Sequence, residues 1–192
     1  MATDKLIEDD DNIYYVDANG VMVTNTWVKV VNEDQDDDDD PAEYHYYYMQ
    51  SNGKAYKGDG TSVSKKTIDG KRYAFDEDGK MYSGWYSDGK DDVAYYLGTE
   101  DEGWRAENQW LWLENSGDTD DDFEDDDTKG ESVLGCDADN DDDPCDDEGW
   151  YWFGSDGKAY HGEGKKKING RYYMFNEHGQ MLYNWIATAA EA

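Results

Sequence analysis

Residues 70–85 read GKRYAFDEDGKMYSGW. Tyr73 and Phe75 lie two apart, so an extended chain carries both on one face. Asp78-Gly79 comes next, and such pairs supply the positive φ that a tight hairpin needs. The stretch therefore reads as the second strand of a hairpin, its turn, and a link ending on Gly84-Trp85.

The same grid recurs along the chain. NIYYVDANG (12–20), HYYYMQSNG (45–53), WYWFGSDG (150–157) and RYYMFNEHG (171–179) also place an aromatic strand before a turn glycine. Four residues before that glycine stands Val16, Met49, Phe75, Phe153 or Phe175; six before stands Tyr14, Tyr47, Tyr73, Tyr151 or Tyr173. VAYYLGTEDEG (93–103) fits through Tyr95 and Leu97 with a turn two residues longer. These strand-facing residues are expected to be core. Predicted strands fall at about 13–17, 27–31, 45–50, 72–76, 94–97, 110–113, 150–154 and 171–176.

The spacing beyond each turn glycine reveals a higher order. Tryptophan comes seven residues later after Gly20 and Gly103, and six later after Gly79 and Gly179; after Gly53 and Gly157 a glycine comes five later instead. The paired tracts GKAYKGDG (53–60) and GKAYHGEG (157–164) have the same phase. The expected architecture is all-β, a solenoid of stacked β-hairpins made of two copies of a three-hairpin unit. Copy one runs over about 12–92 and copy two over about 93–186. Each copy has one hairpin tip swollen into an acidic loop, at about 32–43 and 115–148.

Those loops explain the composition. The 192 residues carry 48 Asp+Glu against 17 Lys+Arg, a net charge of −31. Such charge alone points to disorder, but 17 Tyr and 8 Trp do not. Nucleic acid is excluded as a partner for want of a basic face. No apolar run is long enough for membrane insertion. No signal peptide is visible after Met1, so the chain reads as a mature segment or a fragment of a larger protein. Cys136 and Cys145 bracket CDADNDDDPC. In a secreted protein they would pair, contributing roughly 2–3 kcal/mol; two free thiols are the alternative.

The repeat G-x-x-Y-x-F-D-x-D-G-K-M-x-x-G-W, best seen at Gly70 to Trp85, resembles the cell-wall-binding repeat family. That family includes choline-binding modules, glucan-binding domains of glucosyltransferases and the C-terminal repeats of clostridial toxins. The resemblance covers nearly all of residues 12–185 and is specific for fold, not ligand. It implies a secreted or cell-surface, non-catalytic bacterial module, held to cell-envelope or extracellular polysaccharide. In choline-binding members, aromatic cages between hairpins hold the quaternary ammonium. Carried over position by position, the cage residues are Trp85 and Trp185, with Trp27 and Trp110 displaced by one, and the strand pairs Trp150 with Trp152 and Tyr46 with Tyr48. Tyr172 matches a first strand position, whereas Arg72 puts a cation where choline would sit. Trp112 shares the proposed facing strand with Trp110, so the first hairpin of copy two, with four indoles, is expected to carry the strongest site.

Two other chemistries compete. Asp137, Asp139, Asp141 and Glu148 have the spacing of a Ca²⁺ loop, though Asp142 stands where such a loop has glycine. Acidic loops could instead recognise a basic host protein, the adhesin-like or spacer alternative. The expected function needs no cofactor, with Ca²⁺ as the candidate ion. His45, His161 and His178 lack metal-ligand spacing, and no nucleophile or metalloprotease motif occurs. The chain is read as no enzyme.

Overall fold

The computed structural model describes residues 2–33, 42–58, 64–87, 93–116, 134, 145–162 and 164–183. Among them every regular element is a strand, and the strands pair in sequence as antiparallel two-stranded hairpins. These are β1 (Lys5–Asp9) with β2 (Asn12–Val16), β3 (Thr26–Val31) with β4 (Tyr44–Met49), and β5 (Ser64–Ile68) with β6 (Lys71–Phe75). Then come β7 (Trp85–Ser87) with β8 (Ala94–Tyr96), β9 (Gln109–Glu114) with β10 (Glu148–Phe153), and β11 (Lys166–Ile168) with β12 (Arg171–Tyr173). The all-β hairpin fold is as expected, and each aromatic segment is the second strand of its hairpin.

Among the described residues three turns are two-residue turns with both φ positive: Asp10-Asp11 (46° and 59°), Asp69-Gly70 (49° and 78°) and Asn169-Gly170 (48° and 82°). That is the I′ geometry that matches strand twist. The Asp10-Asp11 turn and strand β1 carry no mark in the sequence, because an Asp-Asp pair is a poor turn signal. Asn12 compensates by donating its amide to the carbonyls of Asp9 and Asp10.

The Asn-Gly and Asp-Gly pairs that end the aromatic strands behave differently. At Gly20, Gly53, Gly79 and Gly157 only the glycine has positive φ. Gln50 N–H donates to Lys54 O and Gly53 N–H to Gln50 O, and Asp76, Gly154 and Asn176 repeat this arrangement. These are three-residue loops with the glycine in the left-handed position. Just beyond each, one bridge closes the arm: Val16 with Met22, Met49 with Ala55, Phe75 with Met81, Phe153 with Ala159, Phe175 with Met181. The residue four before the glycine is therefore the one that pairs across the loop. Met49, Phe75 and Phe153 are fully buried.

The bridged arms also join hairpins. Ala55 N–H donates to Ile13 O, Met81 to Tyr46 O, Ala159 to Ala94 O, and Met181 to Trp150 O, and Arg105, beyond the unbridged Gly103 turn, donates likewise to Arg72 O, all at 2.8–2.9 Å. Each arm thus satisfies a carbonyl on an earlier hairpin. Close packing accompanies these bonds: a Cβ on Gly103 would lie 2.2 Å from Met81 Sδ.

The described residues fall into two compact units. One holds 2–86 and 96–106; the other holds 87–95, 107–116, 134 and 145–183. In the first, Ile13, Val28, Tyr47, Met49 and Ala55 form one core cluster, and Ile68, Tyr73 and Phe75 another. In the second, Trp152, Ile168 and Phe175 form the corresponding centre. No helix among the described residues is long and apolar enough to cross a membrane.

Candidate functional site

Strand pairing sets the site. In β9–β10 the cross-strand partners are Trp110 with Trp152, Trp112 with Trp150, and Glu114 with Glu148. Alternate residues share a face, so four indoles and two carboxylates line one side of this hairpin. The other side carries Tyr151 and Phe153, which are buried.

The four indoles are not equivalent. Trp152 is only 8% exposed. Its ring lies 5.4 Å from Trp110, which in turn lies 4.8 Å from Tyr173 and 5.7 Å from Phe175. Tyr160 closes the group on Phe175 at 6.1 Å. This inner five-ring box is core. Trp150 and Trp112 remain 39% and 45% exposed, edge to face with centroids 5.6 Å apart. The Trp112 indole N–H donates to Glu148 Oε2 at 2.9 Å. Two accessible π faces thus lie beside a carboxylate fixed by one of their own indoles. Such a group holds a cation through ring quadrupole and charge together, and its rings can also stack on a sugar.

Trp150 is held from behind. Met181 N–H donates to its carbonyl. Gln180, buried, clamps the chain entering β10: its amide donates to Asp146 O at 2.6 Å and accepts from Asp146 N–H at 3.0 Å. Sequence reading misses Gln180, since one glutamine after a turn glycine carries no signal by itself.

The first unit repeats the inner box and changes the outer pair. Trp27 lies 5.2 Å from Tyr48, 4.8 Å from Tyr73 and 5.8 Å from Phe75, with Tyr56 against Tyr48 and Phe75. One pair further along β3–β4, Lys29 faces Tyr46 where the other hairpin has Trp112 facing Trp150. The Lys29 ammonium lies 4.0 Å from the Tyr44 ring centroid, 5.2 Å from that of Tyr46 and 3.5 Å from Asp101 Oδ1. Tyr46 donates its hydroxyl to the same Asp101 oxygen. The Tyr46 hydroxyl first, then the Asp101 charge, hold the Lys29 pKa above its ordinary value. Tyr46 and then Lys29 hold the Asp101 carboxyl below its own.

Of the remaining expected ligand residues, Trp85 packs edge-on against Tyr96 at 5.6 Å. Tyr172 is 65% exposed, with Lys167 5.8 Å from its centroid. Trp185 lies outside the described residues, as do Asp137, Asp139 and Asp141. Glu148, the fourth member of the expected Ca²⁺ set, is the hydrogen-bond partner of Trp112. Among the described residues no group of three or more His, Cys, Asp or Glu could hold a metal ion. Cys145 is disulfide-bonded; its expected partner, Cys136, lies outside the described residues.

No family model and no curated protein matches this chain. Solved structures do. Choline binding protein F from Streptococcus pneumoniae, determined in the presence of a peptidoglycan analogue, is similar at 22% identity and a TM-score of 0.52, over 92% of this chain and 40% of that one. The modular autolysin LytC of the same organism is similar at 17% identity and a TM-score of 0.47, over 94% of this chain and 34% of its own. Truncated alternansucrase from Leuconostoc mesenteroides NRRL B-1355 gives 16% and 0.48, over 81% of this chain and 10% of its own. The chain thus spans 40% or less of each of these proteins. The likeness to choline binding protein F shows a shared fold, that of the choline-binding repeat proteins.

Proposed function

We propose that this chain is a non-catalytic, extracellular binding module that attaches a surface or secreted protein to envelope polymer through the outer indole pair of β9–β10. The observation that carries the reading is the Trp112–Trp150 pair, left exposed beside Glu148 while the inner pair is packed into the core, Trp152 buried and Trp110 partly so. The fold shared with choline binding protein F, whose structure was determined with a peptidoglycan analogue, supports the envelope setting. The ligand class favoured is a quaternary ammonium carried on the polymer, because a carboxylate lies beside two exposed rings. A neutral sugar ring is the competing ligand of the same site.

One such site is weak. A cation on aromatic rings gains about 0.5–2 kcal/mol per contact, which leaves Kd at about millimolar. Retention on a repetitive polymer comes from several engagements at once. The test titrates choline, and separately soluble cell-wall glycan, into wild type and into Trp150→Phe and Trp112→Phe, with folding checked by thermal melt. Choline affinity should fall about three- to tenfold in either folded variant. Unchanged affinity for both ligands in both variants removes the site; loss for glycan alone transfers it to sugar.

A further inference from the structure

In the first unit the position of the exposed indole pair is already occupied by a cation of the chain itself. Lys29 could point anywhere into solvent from an exposed strand position. Instead its ammonium lies over Tyr44, near Tyr46, and against the Asp101 carboxylate, which Tyr46 also holds by a hydrogen bond. Two rings and one carboxylate are the same set of partners that Trp112, Trp150 and Glu148 offer in β9–β10. The difference is that β3–β4 substitutes a lysine for one ring, and among the described residues no lysine lies over Trp112 or Trp150.

We propose that Tyr44, Tyr46 and Asp101 form a second ammonium-binding seat and that Lys29 is its tethered occupant, which competes there with external ligand. A tethered ammonium competes at an effective concentration of about millimolar, so a soluble cation of similar affinity must exceed that concentration to enter the seat. The seat takes small organic ammonium groups and not sugars, since its partners are one anion and two phenol rings around a point charge. The ligand class is borrowed from the reading of the indole pair; the seat itself is not, as its rings, carboxylate and occupant are all in the first unit.

The probe is choline chloride, followed by NMR through the ring signals of Tyr44 and Tyr46. In wild type these signals should shift only at choline concentrations several-fold above those needed in the lysine-free variant. In Lys29→Ala they should shift saturably, with Kd in the millimolar range. Lys29→Gln, which keeps part of the stem but no charge, should open the seat as well. Adding Asp101→Asn to Lys29→Ala should weaken the new site about three- to fivefold. Absence of a saturable shift in folded Lys29→Ala and Lys29→Gln would overturn the proposal, and so would equal shifts in wild type. The two readings separate cleanly. In a Trp150→Phe background, loss of the Trp150 site leaves the Lys29→Ala site intact if this inference holds. A silent indole with responsive Tyr44 and Tyr46 defeats only the function proposed above.

Discussion

Hairpins β3–β4 and β9–β10 share one scaffold and differ in one row. Both pack an inner aromatic pair, Trp27 with Tyr48 and Trp110 with Trp152, against the rings of the next hairpin; Trp152 is buried and the other three are partly buried. In the next row outward, one hairpin has Lys29 opposite Tyr46 and the other has Trp112 opposite Trp150. The inner row is constrained by packing, because a hairpin alone is too thin to bury anything and must borrow a face. The outer row has no such duty, so it can diverge. This separates the aromatics that hold the fold from those free to bind.

The largest expected effect tests that division. Trp152→Ala should destabilise the protein by about 3–5 kcal/mol, the range for truncating a buried aromatic, and Trp110→Ala, at a partly buried ring, by about 2–3 kcal/mol. Trp150→Ala, from a half-exposed ring, should cost about 1 kcal/mol or less. Thermal or urea melts of the three variants decide it. Equal losses at Trp152 and Trp150 would mean that the rows do not divide the labour.

A second contrast lies in the turns. Asp76 in the first unit and Asn176 in the second both accept the N–H four residues on, from Lys80 and Gln180, each at 2.7 Å. Burial pushes the Asp76 carboxyl up to about 6, against backbone hydrogen bonds that oppose the shift. Asp in an unfolded chain titrates near about 3.9. The folded state therefore binds this proton more tightly than the unfolded one, and stability falls as pH rises from about 4 to 6. Above that window the penalty is constant, about 1–3 kcal/mol. Asp76→Asn copies the other unit's solution. It should stabilise by that amount at pH 7, give little at pH 4, and flatten the pH profile between. A variant less stable than wild type at pH 7 would show that the charge itself is needed by the turn.

The next effect falls on ligand, not fold. Glu148→Gln keeps an acceptor for the Trp112 indole N–H but removes the charge beside the two rings. If the occupant is a cation, choline affinity should drop about three- to fivefold with the melt unchanged. If the occupant is a sugar, the substitution should be nearly silent.

Much of the fold is readable from the residues, because every aromatic segment carries period-two alternation and ends on a turn glycine. The second strand of every hairpin is marked in this way, and β3 and β9 are marked by Trp27 and Trp110. Strands β1, β5, β7 and β11 carry no such period; among the described side chains KKTI (65–68) and KKI each have one buried, Ile68 and Ile168. The left-handed residues before β1, β3 and β9, namely Asp4, Asn25 and Asn108, are also unmarked. Asn25 and Asn108 stand five residues after their turn glycine, as Gly84 does, but Thr26 and Gln109 intervene before Trp27 and Trp110, which puts these one residue later than Trp85. For the site, sequence places four indoles on one hairpin but cannot rank them. Which ring is covered depends on Tyr173, Phe175 and Tyr160, which belong to other turns and strands than Trp152 and Trp110. The lysine over Tyr44 and Tyr46 is beyond reach for the same reason: its anion, Asp101, is on a distant turn.

The smallest expected effect concerns that lysine, and it is small for a physical reason. Lys29 and Asp101 are both exposed, so water and salt screen their attraction, and ordering two side chains offsets part of what remains. Lys29→Ala should therefore lower Tm by no more than about 2 °C. That residual shift should vanish in about 0.5 M NaCl, where the screening length falls to a few ångströms. The contrast with Trp152→Ala is then complete. The inner row would govern stability and not occupancy, whereas Lys29 would govern occupancy and not stability. A large loss of stability in Lys29→Ala, insensitive to salt, would show that its stem and ring contacts are part of the packing. The outer row of β3–β4 would then be structural, and only the indole pair of β9–β10 would remain free to bind.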